Sequence, residues 1–341
     1  MLQLRTYPFE LAFEYPFTTS KGTKTHQPTL IVSLGMGPLR GYGEAPAIHY
    51  YDVTVEGMLQ SLEAKRNLIE RYALTDPQRF WHFLHHLLPG QHFLIAALDI
   101  AGWDLFAQLR RMPLRRLLGI QGDGPATDYT LGNGSAAEMI AGMEAHPAPV
   151  YKIKITDVHD ISLIEALRAR TAVPFRVDAN EALSFEDARR LLPDLQRLGV
   201  ELIEQPLPRT EREAMQALKT LSGIPLFADE SCVEEKDVAE CAAGFHGINI
   251  KLVKCGGITP ALRMIAEARS LGLKIMLGSM NESSVGTAAI AHMLPLADAV
   301  DADGPLLLKE DVAEGLRYEQ GMIRISPGNG LGIRFTGRPQ N

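Results

Sequence analysis

Cysteine is scarce in this chain: Cys232, Cys241 and Cys255 are the only three in 341 residues, and their spacings of 9 and 14 match neither a zinc site nor a disulfide framework. Reduced thiols in a cytoplasmic protein are expected. Basic residues are outnumbered, 34 lysines and arginines against 41 acids, for a net charge of −7. With no long basic stripe, a nucleic-acid partner is not expected. No apolar stretch reaches the roughly 18 residues that mark a membrane span. The start, MLQLRTYPFELAFEYPF, lacks the basic end and apolar run of a signal peptide, so no membrane partner is expected. What is present, 46% hydrophobic and 22% charged residues, is the composition of a globular protein, and the length suggests two domains.

The pattern changes near residue 120. Before it, Leu4–Leu11 and Thr29–Leu34 read as strands, Gly41-Tyr42-Gly43 as a turn-rich join, and 52–118 as mostly helical. Strands grouped apart from helices suggest an α+β module. After it, eight short apolar runs recur: Thr127–Gly132, Val150–Ile155, Phe175–Asn180, Glu201–Pro206, Leu226–Ser231, Gly247–Leu252, Lys274–Ser279 and Ala299–Gly304. Their starts lie 21 to 27 residues apart, the period of a βα unit, and eight parallel strands close most economically into a barrel. A doubly wound sheet is the alternative, but Gly132-Asn133-Gly134 lacks the third glycine of its phosphate turn. In the connector after the sixth run, Thr259 is the expected N-cap, Pro260 the first helical residue and Gly272 the terminator, with Leu262, Ile265 and Ala266 facing the sheet. Leu316–Ile325 and Gly330–Phe335 read as extended segments that pack back on the N-terminal module. The expected division is 1–122, 123–315 and 316–341.

Parallel strands buried on both faces should be apolar. These carry ionisable residues at their ends: Lys152 and Lys154 in YKIKI, Asp178 in FRVDAN, Glu204 in ELIEQP, Asp229 in PLFADES, Lys251 in INIKL, and Asp301 and Asp303 in VDADG. Any one alone reads as a solvated charge or an ion pair. The set reads differently, because barrel sites lie at the C-terminal strand ends and burying several like charges without a ligand is costly. Asp178, Glu204 and Asp229 come from successive strands and suit a hard divalent cation such as Mg²⁺. No histidine or cysteine recurs there, which argues against zinc. Lys152 and Lys154 share a strand face, and Lys251 lies four strands on, opposite them in a closed barrel of eight. Opposed lysines around a metal suit removal of a proton from one face of a carbon acid and its return to the other. The cation and the second lysine would disfavour a lysine's charged form and make it usable as a base. Asp301 and Asp303 suit a substrate ammonium, or equally a helix cap or a rim salt bridge.

Taken in order and spacing, these motifs resemble the enolase superfamily, in its muconate lactonizing enzyme subgroup, and most the dipeptide epimerases of the L-Ala-D/L-Glu type. The resemblance spans essentially the whole chain. It implies an α/β fold, a modified (β/α)₇β TIM-type barrel under an α+β N-terminal capping domain, with residues 316–341 returning to the cap. It implies one Mg²⁺ per subunit on Asp178, Glu204 and Asp229. Lys154 and Lys251 would be the opposed acid/base pair, with Lys152 modulating Lys154 and Lys254 outside the pair; Lys or His bases with Mg²⁺ are the superfamily's general pattern. Asp301 and Asp303 would hold a dipeptide's ammonium, and GSMNES would bring Ser279 and Met280 near the substrate. The implied reaction inverts the α-carbon of a dipeptide's C-terminal residue through a metal-stabilised enolate, in a chain that can form a homo-oligomer. The early loop FTTSKGTKTHQP, residues 17–28, would close over the site, with Lys21, Thr23 and Lys24 as specificity candidates. Gly22 stands where alanyl-glutamate epimerases can carry an arginine, so acidic and small or apolar dipeptides both stay open. Other subgroup activities (o-succinylbenzoate synthase, N-succinylamino acid racemase, muconate cycloisomerase) are alternatives, as are a Schiff-base aldolase and a non-catalytic binding barrel.

Other signals are weaker. His82 and His86 have i, i+4 spacing but no adjacent acid, Trp81 and Trp103 read as core, and Arg110, Arg111, Arg115 and Arg116 as a solvated face.

Overall fold

The computed structural model describes residues 1–19 and 22–340. Three antiparallel strands, β1 (Gln3–Thr19), β2 (Gly22–Met36) and β3 (Leu39–Pro46), lie side by side in that order. Three helices follow, α1 (Val55–Glu70), α2 (Pro77–Leu87) and α3 (His92–Leu109). Thr54 and Asp76 cap the first two, accepting from Gly57 N and Gln78 N, and Pro77 fills the first position of α2.

α3 is apolar all round. By length and composition it could cross a membrane, yet 78% of it is buried within the protein, as befits a core helix. Leu94, Ala97 and Ala101 pack with the cap, while Ile100, Trp103 and Ala107 join the barrel core. The close approach of α3 to β3 corrects one expectation. Gly41-Tyr42-Gly43 is not a join but the middle of β3. A side chain at Gly41 would run into the carbonyl of Ala101, and one at Gly43 into that of Ala97, so glycine there permits strand and helix to touch. Residues 17–19 and 22–28 are likewise not loop but strand, with Phe17 opposite Lys24 and Thr18 opposite Thr23. Lys21 lies outside the described residues.

All eight expected runs form strands: β4 (Tyr129–Leu131), β5 (Tyr151–Lys154), β6 (Phe175–Asp178), β7 (Val200–Glu204), β8 (Leu226–Ala228), β9 (Gly247–Lys251), β10 (Lys274–Gly278) and β11 (Ala299–Asp301). They pair in sequence order, all parallel. A bridge from Thr127 to Val300 joins the two ends. Arg176 reaches this seam from β6, donating to Asp128 Oδ2 at 2.8 Å and Val300 O at 2.6 Å. β11 leads into a helix of one turn, Gly304–Leu307, so the eighth barrel helix is vestigial. Leu202, Phe227, Met276 and Ala299 form an apolar plug, and Gly247 leaves room for the Phe227 ring.

The long helix after β9, Ile258–Ser270, begins two residues earlier than expected. Gly257, at φ 121°, is its N-cap. Thr259 instead donates its hydroxyl to Asp99 Oδ1 at 2.7 Å and accepts from Trp103 Nε1 at 2.9 Å, tying this helix to α3. Its buried stripe is Ala261, Met264, Ile265 and Ala268; of the expected face, Ile265 is buried, Leu262 packs half-buried against the core and Ala266 is exposed. Gly272, at φ 74°, follows the helix as expected.

The C-terminal segment forms β12 (Asp311–Glu314), β13 (Leu316–Glu319), β14 (Met322–Ile325) and β15 (Arg334–Gln340), paired β12–β15 and β13–β14. Phe335 packs against Tyr7 and Tyr42, with ring centroids 5.0 and 4.8 Å away, so the chain returns to the first sheet. Trp81 and Trp103 are buried. His82 and His86 meet through a bond between the His86 ring and the His82 carbonyl. Arg115 departs from the expected solvated face: it donates to Gly122 O and Ala291 O.

Candidate active site

Strand register brings the charged ends to one level. Lys154, Asp178 and Glu204 are direct partners across β5, β6 and β7, and Lys251, Gly278 and Asp301 across β9, β10 and β11. Gly278 explains why the seventh strand carries no charge. A side chain there would strike the amide of Asn249, whose Nδ2 donates to Glu204 Oε1 at 2.7 Å.

The lysines and acids interleave. Lys152 Nζ lies 2.6 Å from Asp301 Oδ2, 2.7 Å from Glu204 Oε2 and 3.1 Å from Asp178 Oδ2. Lys154 Nζ donates to Asp178 Oδ2 at 2.5 Å and Asn180 Oδ1 at 3.0 Å, and Lys251 Nζ to Asp229 Oδ2 at 2.9 Å. Burial works against charge on Lys152 and Lys251, but the facing carboxylates outweigh it and hold both pKa values well above that of a free lysine. Asp178 shows the converse: burial raises it, Lys154 and Lys152 outweigh burial, and its pKa falls to about 2.

Asp301 and Asp303 both line the cavity but are already engaged. Asp301 accepts from Lys152, and Asp303 Oδ2 accepts from Thr130 N at 2.6 Å. Burial, then the charge of Asp301, lifts Asp303 to about 6. The cavity, about 190 Å³, is also lined by Lys154, Lys251, Ser279, Met280 and, from the hairpin, Phe17 and Lys24. Lys24 makes a long bond to Gln27 Oε1 at 3.4 Å, and burial lowers its pKa. Thr23 is corrected: it bonds Thr18 across the hairpin and is exposed, off the cavity wall.

Sequence reasoning passed over the residues that hold the acids in place. Lys254 is buried and donates to Asp229 Oδ1 at 2.5 Å, Asp229 O at 2.6 Å and Cys232 O at 2.9 Å. Gln205 Oε1 accepts from Asp229 N and Ser231 N. Gln205 and Asn180 take φ of 37° and 42°, the kind of backbone strain that collects at functional sites. Polar residues one and two positions after the acids, in IEQP and VDAN, were the available signal.

Three carboxylates from adjacent strand ends form an all-oxygen donor set. Glu230 Oε2 is buried without a hydrogen-bond partner, and Glu204 Oε2 has only its ion pair with Lys152. That chemistry fits a hard divalent cation. Among the described residues no three acids, histidines or cysteines are grouped as a metal site; Lys152 and Lys154 lie against Asp178, and Lys152 against Glu204.

Residues 2–119 match the model of the mandelate racemase/muconate lactonizing enzyme N-terminal domain, and residues 135–338 that of the enolase C-terminal domain-like family. The chain belongs to the mandelate racemase/muconate lactonizing enzyme family. A curated member from Maribacter sp., named L-Ala-D/L-amino acid epimerase, is 42% identical over 98% of this chain and 99% of its own. Among solved members, the substrate-liganded L-Ala-D/L-Glu epimerase of Bacillus subtilis superposes with a TM-score of 0.92 at 30% identity, over 97% of this chain and 98% of that one. The dipeptide epimerase of Methylococcus capsulatus, complexed with Mg and L-Arg-D-Lys, gives 0.92 at 30% identity over 98% and 99%.

Proposed function

We propose that this chain is a Mg²⁺-dependent dipeptide epimerase that inverts the α-carbon of the C-terminal residue. The observation that carries it is the placement of Lys154 on β5 and Lys251 on β9, four strands apart in an eight-stranded ring, each bonded to one of the acids Asp178 and Asp229. The names of the relatives support the same reading.

Asp178, Glu204 and Asp229 would hold the cation. When bound, Mg²⁺ supplies Lewis-acid stabilisation of the negative charge that grows on the substrate carboxylate. Lys154 Nζ, as the free amine, takes the α-proton from one face while the C–H electron pair moves into the carboxylate. Lys251 Nζ, as the ammonium, delivers a proton to the opposite face, and the roles exchange with substrate hand. Lys152 stays an ammonium between Asp301, Glu204 and Asp178 and positions Lys154 electrostatically. Asp301 and Asp303 take the substrate ammonium, which disfavours the muconate cycloisomerase and o-succinylbenzoate synthase alternatives, whose substrates carry carboxylates and no ammonium. Lys24 is the hairpin's described cation on the cavity wall and favours an acidic side chain on the reacting residue. We keep the division 1–122, 123–315 and 316–341. A reducing cytoplasmic setting agrees with the three free, buried thiols.

The test is α-deuterium uptake from D₂O into a library of L,L-dipeptides, read by mass spectrometry. A gain of one mass unit without new products is expected, lost with EDTA and in Lys154→Ala. Lys251→Ala should spare exchange for the substrate hand that Lys154 deprotonates while abolishing inversion. Absence of uptake in every dipeptide would remove the epimerase reading.

A further inference from the structure

A groove of about 630 Å³ adjoins the catalytic cavity. Its walls include Tyr15 of β1, Leu131 of β4, Met139 and Gly142 of the helix Ala136–Ala145, and Leu307. Phe17 and Thr130 line both spaces. Thr130 also ties the groove to the ammonium site, since its N–H donates to Asp303 Oδ2 at 2.6 Å.

We propose that this groove receives the side chain of the dipeptide's amino-terminal residue and selects large apolar side chains over small or acidic ones. The proposal rests on the epimerase reading and names the substrate class within it. The carbon that bears the ammonium also bears that side chain, so an ammonium on Asp301 and Asp303 puts the side chain next to Thr130. The catalytic cavity, about 190 Å³, is smaller than the roughly 300–1,000 Å³ of ordinary small-molecule sites. The reacting residue and the peptide unit fill it, and further bulk needs the adjoining space.

Chemistry narrows the class. Among the described lining residues there is no lysine or arginine, and the acids are Glu14 and Glu138. Glu138 is already committed, accepting from the N–H and hydroxyl of Ser135 at 2.8 Å each. His146 stacks on Tyr129, with ring centroids 4.9 Å apart. An acidic side chain would find no fixed cation there, whereas an aliphatic or aromatic one would cover Phe17, Leu131, Met139 and Leu307.

The experiment compares initial rates of α-deuterium uptake for Gly-L-Ala, Leu-L-Ala, Phe-L-Ala and Glu-L-Ala, in the Mg²⁺-loaded protein and in Gly142→Leu. A side chain at Gly142 would first meet Leu131 at 3.5 Å, an ordinary contact, and leucine is the better helix former, so this variant fills the groove without straining the fold. Its folding is checked by thermal denaturation. In the parent, kcat/KM should rise about tenfold or more from Gly-L-Ala to Leu-L-Ala and Phe-L-Ala, the scale of one or two buried methylenes upward, and Glu-L-Ala should fall below Gly-L-Ala. Gly142→Leu should lower the Phe-to-Gly ratio by a similar factor. Equal rates for the glycyl and phenylalanyl dipeptides, or a ratio untouched by Gly142→Leu, would overturn the groove assignment and leave the epimerase reading standing. Inactivity of all four peptides would overturn the groove assignment if the library is active, and both readings if the library is silent.

Discussion

Lys254 shows how a residue outside the reacting pair governs it. Its ammonium meets one oxygen of Asp229 while Lys251 meets the other, and it also bonds two backbone carbonyls of the same turn. Removing one partner of a buried ion pair leaves the other charge uncompensated, at about 3–5 kcal/mol. Lys254→Met should therefore lose about that much in chemical denaturation and most of its deuterium exchange. A stable but inactive Lys254→Met would move the residue from support into the chemistry. INIKLVKCGG shows two lysines, Lys251 and Lys254, three positions apart. Which one faces the cavity depends on the strand ending at Lys251 and a short helix, Leu252–Cys255, beginning after it, so a break in periodicity of one residue assigns the roles.

At the scale of elements, the loop after β10 is fastened from the cap. Ser283 is the N-cap of the helix Ser284–Ala291. Glu44 of β3 accepts from Ser283 N at 3.0 Å, Ser283 Oγ at 2.5 Å and Gly286 N at 3.0 Å, with Thr29 Oγ1 on its other oxygen at 3.0 Å. A cap-domain carboxylate thus closes a barrel-helix N-terminus, satisfying free N–H groups and the helix dipole together. Ser279 and Met280 line the cavity from this loop. Glu44→Ala should cost about 1.5–3 kcal/mol, the range for bonds to a charged group, and raise KM more than it lowers kcat. Calorimetric Mg²⁺ affinity should stay unchanged, since the three candidate ligands sit on other strands. A fall in kcat with KM constant would argue that Glu44 only maintains the folded fraction. Elements were legible unevenly. The eight barrel strands are β-rich runs at regular spacing and read directly. The β3 glycines imitate a turn because the helix residues that require them lie more than fifty positions away, and residues 22–26 of β2 imitate a loop because they are polar and bury little.

For the whole molecule, α3 is the joint. Asp99 accepts from Thr259 N and Oγ1 of the barrel. Asp104 accepts from Tyr42 N of the cap sheet and Leu331 N of the C-terminal segment, both at 2.9 Å. Burial lifts Asp99 from its ordinary 3.8 to about 7 and Asp104 to about 6. The folded state therefore binds these protons more tightly than the unfolded chain. Their contribution to stability declines as pH rises from the ordinary carboxyl range towards 7, and is flat above it. Asp99→Asn should cost more at pH 5 than at pH 8 in thermal denaturation; an equal penalty at both would show that Asp99 is ionised throughout. A cap expressed alone should fail to fold, because Ile100, Trp103 and Ala107 would be stripped of their barrel partners.

The sequence by itself determined the barrel, its strand order and the identities of the converging acids and lysines. Each of these depends on local periodicity and on what a strand end can carry. Tertiary structure decided the rest: which oxygen each ammonium meets, that Asp301 and Asp303 are already bonded to Lys152 and Thr130, that Thr23 leaves the cavity wall while Lys24 stays on it, and that a second space opens beside Phe17. These are facts about atoms brought together from strands and helices far apart in the chain. Burial then sets the strength of their interactions, and burial is a property that no single segment possesses.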